Sequence, residues 1–261
     1  MARLTNKSII ITGATSGIGE AAARLCLAEG ARVLLHGLDA AAGEALVHEL
    51  GEKAVFHCED LRDPEAPARI VAAALSAFGR IDGLVNNAAF IIRSNLDSTD
   101  VTLFDEVMAV NVRAPMLLIK AARPYLSEAK GSVVNIGSVN AYTGEPRLLA
   151  YAVSKGALMT LSRNLGNVLA AEHIRVNHFN PGWVLTPNEY KYKLADGLPA
   201  NWPELLESDE IPSGQMTQPA DIAQHIVFWL SDESRPISGT VMELNQYPII
   251  GRIPLKEGNK A

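Results

Sequence analysis

Tyr151 and Lys155 stand four residues apart in the run Tyr-Ala-Val-Ser-Lys. On a helix that spacing puts both side chains on one face, so a phenol hydroxyl and an ammonium can reach one pocket. A tyrosine ionises near pH ~10, about three units above neutrality, and forming its phenolate at pH 7 costs roughly 4 kcal/mol. A nearby ammonium favours the phenolate, which would make Tyr151 a usable acid or base. Ser138 lies thirteen residues earlier, at the C-terminal end of a strand-like run, where open parallel sheets bind ligands. Its hydroxyl could hold a substrate oxygen against Tyr151. No Gly-x-Ser-x-Gly elbow surrounds Ser138 and no Ser…Asp…His set is evident, so it does not read as a nucleophile. Asn111 interrupts a long helical stretch.

The elements that must position these groups alternate between two periods. Strand-like runs at 8–12, 31–36, 54–58, 82–88, 131–138, 174–179 and 239–244 are rich in β-branched residues. Between them, helical patterns cover 17–30, 39–50, 64–79, 100–128, 151–173 and 219–231. Strands alternating with helices imply parallel βαβ units, and continuous apolar runs imply strands buried on both faces. The expectation is an α/β doubly wound parallel sheet of about seven strands with helices on both faces. No linker or repeat divides the chain, so residues 1–261 read as one domain. The stretch 183–214 breaks the alternation with four prolines among charged and aromatic residues. Loops of that length are usually lids or binding segments, and a mobile flap over the ligand edge is expected.

The first strand runs into Thr-Gly-Ala-Thr-Ser-Gly-Ile-Gly (12–19) and then a helix. Gly13, Gly17 and Gly19 permit a tight turn whose backbone amides approach a pyrophosphate at the helix N-terminus. The spacing GxxxGxG differs from the general dinucleotide fingerprint.

The bulk properties exclude other classes. The chain is 48% hydrophobic and 20% charged with net charge −6. It therefore offers no basic footprint for nucleic acid and no attraction to anionic membranes. No apolar run approaches the ~18 residues of a membrane span, and the start lacks the apolar core of a secretory signal. Cys26 and Cys58 form no CxxC and have no His cluster beside them. They read as free thiols of a cytoplasmic protein, and no metal site is expected.

Taken together, the motifs resemble the classical short-chain dehydrogenase/reductase family. The glycine turn resembles its cofactor motif, Asn-Asn-Ala-Ala (86–89) resembles its NNAG, and Asn111, Ser138, Tyr151 and Lys155 resemble its catalytic tetrad. Asn-Pro-Gly-Trp-Val-Leu-Thr-Pro (180–187) resembles its nicotinamide-holding segment. The motifs occur in the family's order across nearly the whole chain.

The resemblance implies a Rossmann-type fold and the cofactor NAD or NADP. It implies that Ser16, Ile18 and the glycines face the phosphates, and that Asp60 with Leu61 flanks the adenine. Asn87 and Ala88 would line the nucleotide groove, while Pro181, Gly182, Val184 and Thr186 would meet the carboxamide. Lys155 would hold the phenolate and the cofactor ribose, and Asn111 would help hold a water linking the lysine to solvent. Asp60 could instead cap the helix ahead of Pro64, and Thr186 could be a turn residue before Pro187. At the end of the second strand the family's acid position falls on Gly37 and its basic position on Leu38. Asp39 could bind the ribose hydroxyls or cap the following helix. A 2′-phosphate needs a cation, and none stands there, so NAD is preferred without excluding NADP.

Candidate substrate residues are Ser138, Asn140, Arg147, Tyr151, Trp183, Asn188 and Trp202, with Ile91, Arg93, Tyr142, Glu145 and Tyr190 nearby. This polar and aromatic set suits a small polyhydroxylated alcohol or carbonyl such as a sugar, polyol or sugar acid. An NADPH-linked 3-oxoacyl-type reductase and a non-catalytic nucleotide sensor are the alternatives, the second disfavoured by the intact tetrad. The family implies a homodimer or homotetramer pairing the helices after Asp100 and before His173. The apolar segment 247–255 is expected to pack on another subunit or over a neighbouring site.

Overall fold

The computed structural model describes residues 2–207 and 210–251. Among them are seven strands: β1 (Ser8–Thr12), β2 (Arg32–Gly37), β3 (Ala54–Cys58), β4 (Gly83–Asn86), β5 (Ser132–Ile136), β6 (Arg175–Pro181) and β7 (Val241–Leu244). They hydrogen-bond in the order β3-β2-β1-β4-β5-β6-β7, every pair parallel. The helices are α1 (Gly17–Ala28), α2 (Ala40–Leu50), α3 (Ala66–Phe78), α4 (Val101–Met108), α5 (Ala114–Ala129), α6 (Leu149–Val168), α7 (Pro187–Ala195) and α8 (Pro219–Leu230).

The two-residue period of the strands builds two cores. Ile9 and Ile11 face one layer with Val33, Leu35, Val85 and Val134, where α1 and α8 pack. Ile10 faces the other with Leu34, Leu84, Val133 and Val176, against α3 and α5. A strand buried on both faces needs apolar residues at consecutive positions, and Ile9-Ile10-Ile11 supplies them. The strand order reverses direction between β1 and β4, and the crevice beyond their C-terminal ends is where such sheets take ligands.

Three departures from the sequence expectation have physical causes. The helix expected over 100–128 is split by a π-helical turn, Ala109–Arg113. Pro115 has no N–H to give the Asn111 carbonyl four residues back, so the α-helical register cannot run through.

The described residues of the stretch 183–214 include regular elements: α7 starts on Pro187, and a 3₁₀ turn covers Trp202–Glu204. It has its own apolar cluster of Trp202, Ile211 and Met216, with Trp183, Leu185, Tyr190, Leu198 and Leu206 against it.

The C-terminal segment, as far as Gly251, makes contacts within its own chain, against the end of the flap and along the cavity wall. The Gln246 amide accepts from Ser213 Oγ (2.7 Å) and donates to the Gln215 carbonyl (2.6 Å). Positions 252–255 of the expected contact segment lie outside the described residues. No helix among the described residues is long and apolar enough to cross a membrane.

Candidate active site

The glycine turn is clasped to the neighbouring strand before it meets any ligand. Thr12 Oγ1 accepts from the Asn87 and Ala88 amides, both at 3.0 Å. The Asn87 side chain donates to the Thr12 and Gly13 carbonyls (2.9 and 3.0 Å). Gly13 and Gly17 have φ of 61° and 58°, left-handed values that favour glycine. Ser16 occupies the N-cap of α1, yet its side chain makes no cap hydrogen bond. The first-turn amides of α1 are therefore left for an anion, which fits a pyrophosphate.

A second set of groups sits at the end of β5. Ser138 follows β5, and its Oγ accepts from the Asn140 amide at 3.1 Å. The same hydroxyl lies near enough to the Tyr151 hydroxyl to favour its phenolate. Tyr151 and Lys155 lie one turn apart on the buried face of α6, with the Lys155 Nζ 5.5 Å from the centre of the tyrosine ring. That Nζ donates to the Ile136 carbonyl at 2.7 Å. Burial pushes the Tyr151 hydroxyl up to about 12, opposed by the Ser138 hydroxyl and reinforced by the negative charge of Glu189. Burial pulls Lys155 down to about 7. The ammonium expected to favour the phenolate is thus turned to a backbone carbonyl, and desolvation dominates both groups.

Asn111, fully buried in the π turn, reaches neither Tyr151 nor Lys155 by a direct hydrogen bond. Its Oδ1 accepts from the Phe90 amide (2.7 Å), and its Nδ2 donates to the Phe90 carbonyl (3.1 Å) and Ser154 Oγ (3.0 Å). Ser154 in turn donates to the Tyr151 carbonyl at 2.7 Å. Asn111 therefore ties the segment after Asn-Asn-Ala-Ala to the turn of α6 that carries Tyr151.

One cavity of about 1200 Å³ joins both sets. Its wall includes Gly13, Ser16, Gly17, Ile18, Gly37, Leu38, Asp39, Asp60, Leu61, Asn87 and Ala88 at one end. It continues past Ser138, Asn140, Arg147, Tyr151 and Lys155 to Pro181, Gly182, Trp183, Val184, Thr186 and Asn188.

Four expected wall residues are elsewhere: Tyr142 and Tyr190 are off the wall, Tyr190 packing in the flap cluster with its hydroxyl on the Ala200 carbonyl (2.8 Å), and so are Gly19 and Trp202. Gly19 is off the wall: a Cβ there would lie 2.1 Å from the Gly13 carbonyl oxygen, so it serves close backbone packing. Trp202 is buried in the flap cluster and stacks on Trp183 (5.5 Å between ring centres), because a bulky indole is what fills that small core.

The open alternatives resolve as follows. Asp39 borders the cavity and also caps α2, accepting from the Ala42 amide at 2.9 Å. Asp60 is not a helix cap; it holds the Arg62 amide (2.9 Å) and guanidinium (2.6 Å). Thr186 borders the cavity while capping α7 through the Glu189 amide (3.0 Å). At Gly37 a Cβ would lie 2.8 Å from Thr15 Cγ2, so Thr15 fills the space where an acidic side chain would start.

Sequence reading missed Glu189, Tyr192 and Lys193, which border the cavity from α7. Glu189 Oε1 accepts from the Trp183 indole N–H at 2.7 Å, and Lys193 Nζ lies 4.7 Å over the same indole. The signal was legible in Thr186-Pro187-Asn188-Glu189, a Ser/Thr-x-x-Glu helix start. Arg93 pairs with Asp196 and ties the loop after β4 to the end of α7. Tyr247 and Ile249 close the wall from the C-terminal segment.

Comparison with known proteins agrees with the fold. The family model described as Enoyl-(Acyl carrier protein) reductase matches residues 13–246. The chain is 34% identical to 2-(S)-hydroxypropyl-CoM dehydrogenase 3 of Xanthobacter autotrophicus, covering 93% of this chain and 96% of that one. It is 35% identical to 2,5-dichloro-2,5-cyclohexadiene-1,4-diol dehydrogenase of Sphingobium indicum, over 93% and 96%. The crystal structure of 3-ketoacyl-(acyl-carrier-protein) reductase from Brucella melitensis, complexed with NADH, superposes with a TM-score of 0.82 at 30% identity. It covers 93% of this chain and 98% of that one.

Proposed function

Since the chain belongs to the short-chain dehydrogenase/reductase family, we propose that it interconverts a secondary alcohol and a carbonyl with a nicotinamide dinucleotide. Its substrate is a small polyhydroxylated molecule: a sugar, polyol or sugar acid. The observation that carries this reading is the single cavity whose wall runs from the uncapped first turn of α1 to Ser138, Tyr151 and Lys155.

In this reading Gly13, Ser16, Gly17 and Ile18 hold the pyrophosphate. Asp39 faces the ribose with its remaining acceptor capacity, and Asp60 and Leu61 border the adenine. Val184 and Thr186 hold the carboxamide. When bound, the nicotinamide accepts or returns the hydride. The Ser138 hydroxyl and the Tyr151 hydroxyl converge on the reacting oxygen, and Tyr151 takes or gives the proton. Lys155, brought to about 7 by burial, can lose or regain its own proton near neutrality at small cost. NAD is preferred because Leu38 offers no cation and the guanidinium of Arg62 is engaged by Asp60 and Glu106.

The wall beyond Tyr151 mixes polar Asn140, Thr143, Asn188, Glu189 and Lys193 with apolar Phe90, Ile91, Trp183, Tyr247 and Ile249. The polar members can meet hydroxyls of a bound molecule, which supports the polyhydroxylated substrate. The likeness to a 3-ketoacyl-(acyl-carrier-protein) reductase supports a second reading, carbonyl reduction. An NAD-reduction screen over sugars, polyols and sugar acids, run beside NADPH-driven reduction of an acyl thioester, separates the two. Absorbance growth with one sugar or polyol class is expected; thioester reduction alone would replace the first reading with the second.

A cytoplasmic setting and a homodimer or homotetramer belong to the same proposal. The free thiols Cys26 and Cys58 support the setting. Exposed Val101, Met116, Val153 and Val168 on α4, α5 and α6 support assembly.

A further inference from the structure

Central strands such as β6 are expected to be apolar on both faces. In β6, however, Asn177, His178 and Asn180 are all fully buried. His178 and Asn180 share a face by the two-residue period, directly beneath the turn that carries Ser138. A Cβ on Gly137 would lie 2.1 Å from His178 Nε2 and 2.2 Å from Asn180 Oδ1.

The hydrogen bonds in this pair can run in only one direction. The Ser138 amide donates to Asn180 Oδ1 at 2.9 Å. A backbone N–H cannot accept, so the Asn180 oxygen, not its nitrogen, must face it. His178 Nε2 lies 2.9 Å from the same oxygen. Two acceptors at that distance repel, so Nε2 carries a proton. On the far side of the ring, Nδ1 lies 3.0 Å from Ser162 Oγ. In a neutral ring Nδ1 must then accept, so the Ser162 hydroxyl points at it. Ser162 can turn away from the Leu158 carbonyl, 2.7 Å off, because that carbonyl keeps its helical N–H. The Ser162 oxygen is filled in turn by the Asn135 amide at 2.8 Å, and Asn135 Oδ1 by the Asn86 amide at 2.7 Å. Burial pulls His178 down to about 4, with the nearby charge of Lys155 acting in the same direction. Burial thus disfavours the imidazolium form, which would satisfy both sides without choosing.

We propose that His178 and Asn180 are positioning residues, the imidazole held as its Nε2–H tautomer so that Asn180 Oδ1 is locked against the Ser138 amide. The inference rests on the reading that Ser138 works with Tyr151. Ser138 caps the short 3₁₀ turn Val139–Ala141, its carbonyl taking the Ala141 amide (3.0 Å) and its Oγ the Asn140 amide, while the acceptor for its own amide is Asn180 Oδ1. A donor that must meet a reacting oxygen gains from being fixed before the substrate arrives. The polar pair in β6 supplies that fixation where an apolar strand could not.

The test uses the full-length protein labelled with ¹⁵N histidine and, separately, uniformly. Long-range ¹H–¹⁵N spectra at pH 7 should show His178 with Nε2 protonated and Nδ1 bare. A protonated Nδ1 would overturn the proposal. Asn180→Ala should speed exchange of the Ser138 amide at least about tenfold. It should lower kcat roughly 10–100-fold, the cost of a small misplacement of a reacting group, with KM and NAD affinity within about twofold. Asn180→Asp, which keeps the acceptor, should restore the Ser138 protection and most of the kcat. Unchanged Ser138 exchange in Asn180→Ala, or failure of the Asp variant to restore it, would refute the positioning role even if turnover stands. If the wild-type protein turns over no alcohol or carbonyl, the functional reading fails, while the tautomer and exchange results still decide this one. Should Asn180→Ala not fold, the tautomer and the Asp variant remain decisive.

Discussion

At the scale of single residues, the chemistry turns on two buried groups pushed in opposite directions. Tyr151 is raised to about 12 and Lys155 lowered to about 7, both chiefly by burial, so each is held towards its neutral form. Replacing Tyr151 by Phe removes the hydroxyl proposed to transfer the proton but leaves the ring packing. Turnover should fall by 10²–10⁴-fold, on the order of a lost general acid or base, while NAD affinity measured by fluorescence titration stays within about threefold. Near-normal turnover would remove Tyr151 from its role.

Lys155 also makes a stability prediction. Its folded value lies below its unfolded one, so the unfolded chain binds more protons between about 7 and ~10.4. Its contribution is therefore fully present only above that window and is lost as pH falls through about 7. Without added nucleotide, thermal stability should rise with pH across the window through this group. Lys155→Met should flatten that slope; an identical slope in the variant would show that another group produces it. Tyr151 leaves this interval untouched, since its raised value costs stability only above pH ~10.

At the scale of elements, the sequence revealed the strands, the helices and the glycine turn, because apolar periods and strand-to-helix turns are local signals. The Ser138, Tyr151 and Lys155 cluster was legible for the same reason: helical spacing joins two members, and a strand end supplies the third. The π turn was only half legible. Asn111 was seen to interrupt a helix and Pro115 is a local signal for it, but that Asn111 then reaches both Phe90 and Ser154 is a fact of tertiary packing. Asp39 shows another limit, since one carboxylate both caps α2 and borders the cavity, so the alternatives read from spacing were not exclusive. Trp202 shows the reverse: its aromatic character suggested a wall, and packing made it a core.

The π turn carries its own prediction. Pro115→Ala returns the missing N–H and allows an α-helical register through 109–115. Asn111 would rotate away from Ser154, releasing the clamp on the turn that holds Tyr151. A displacement near 1 Å costs up to about 10²-fold in rate, so kcat should drop by one to two orders of magnitude with NAD affinity unchanged. Unchanged kcat would mean that the π turn plays no part in placing Tyr151.

At the scale of the molecule, the cavity wall is drawn from the whole chain: the ends of β1, β2, β4 and β5, then α6, α7 and the segment after β7. The flap is attached at both ends of its reach, by Arg93 to Asp196 on one side and by Gln246 to Ser213 and Gln215 on the other. Such a cavity makes stability a readout of which nucleotide it takes. A ligand bound only by the folded state at 100 times its Kd adds about 2.7 kcal/mol. For a chain of this size that corresponds to roughly 5–10 °C in Tm, at about 2–4 °C per kcal/mol. NAD should produce a shift of this size. NADP at equal concentration should produce a smaller one, because its extra phosphate would meet Leu38 and Asp39 where a cation is needed. Differential scanning fluorimetry with both nucleotides measures this without any knowledge of the substrate. A larger shift with NADP would overturn the assignment of Asp39 to the ribose and place a cation, Arg62 first among them, at the 2′ position.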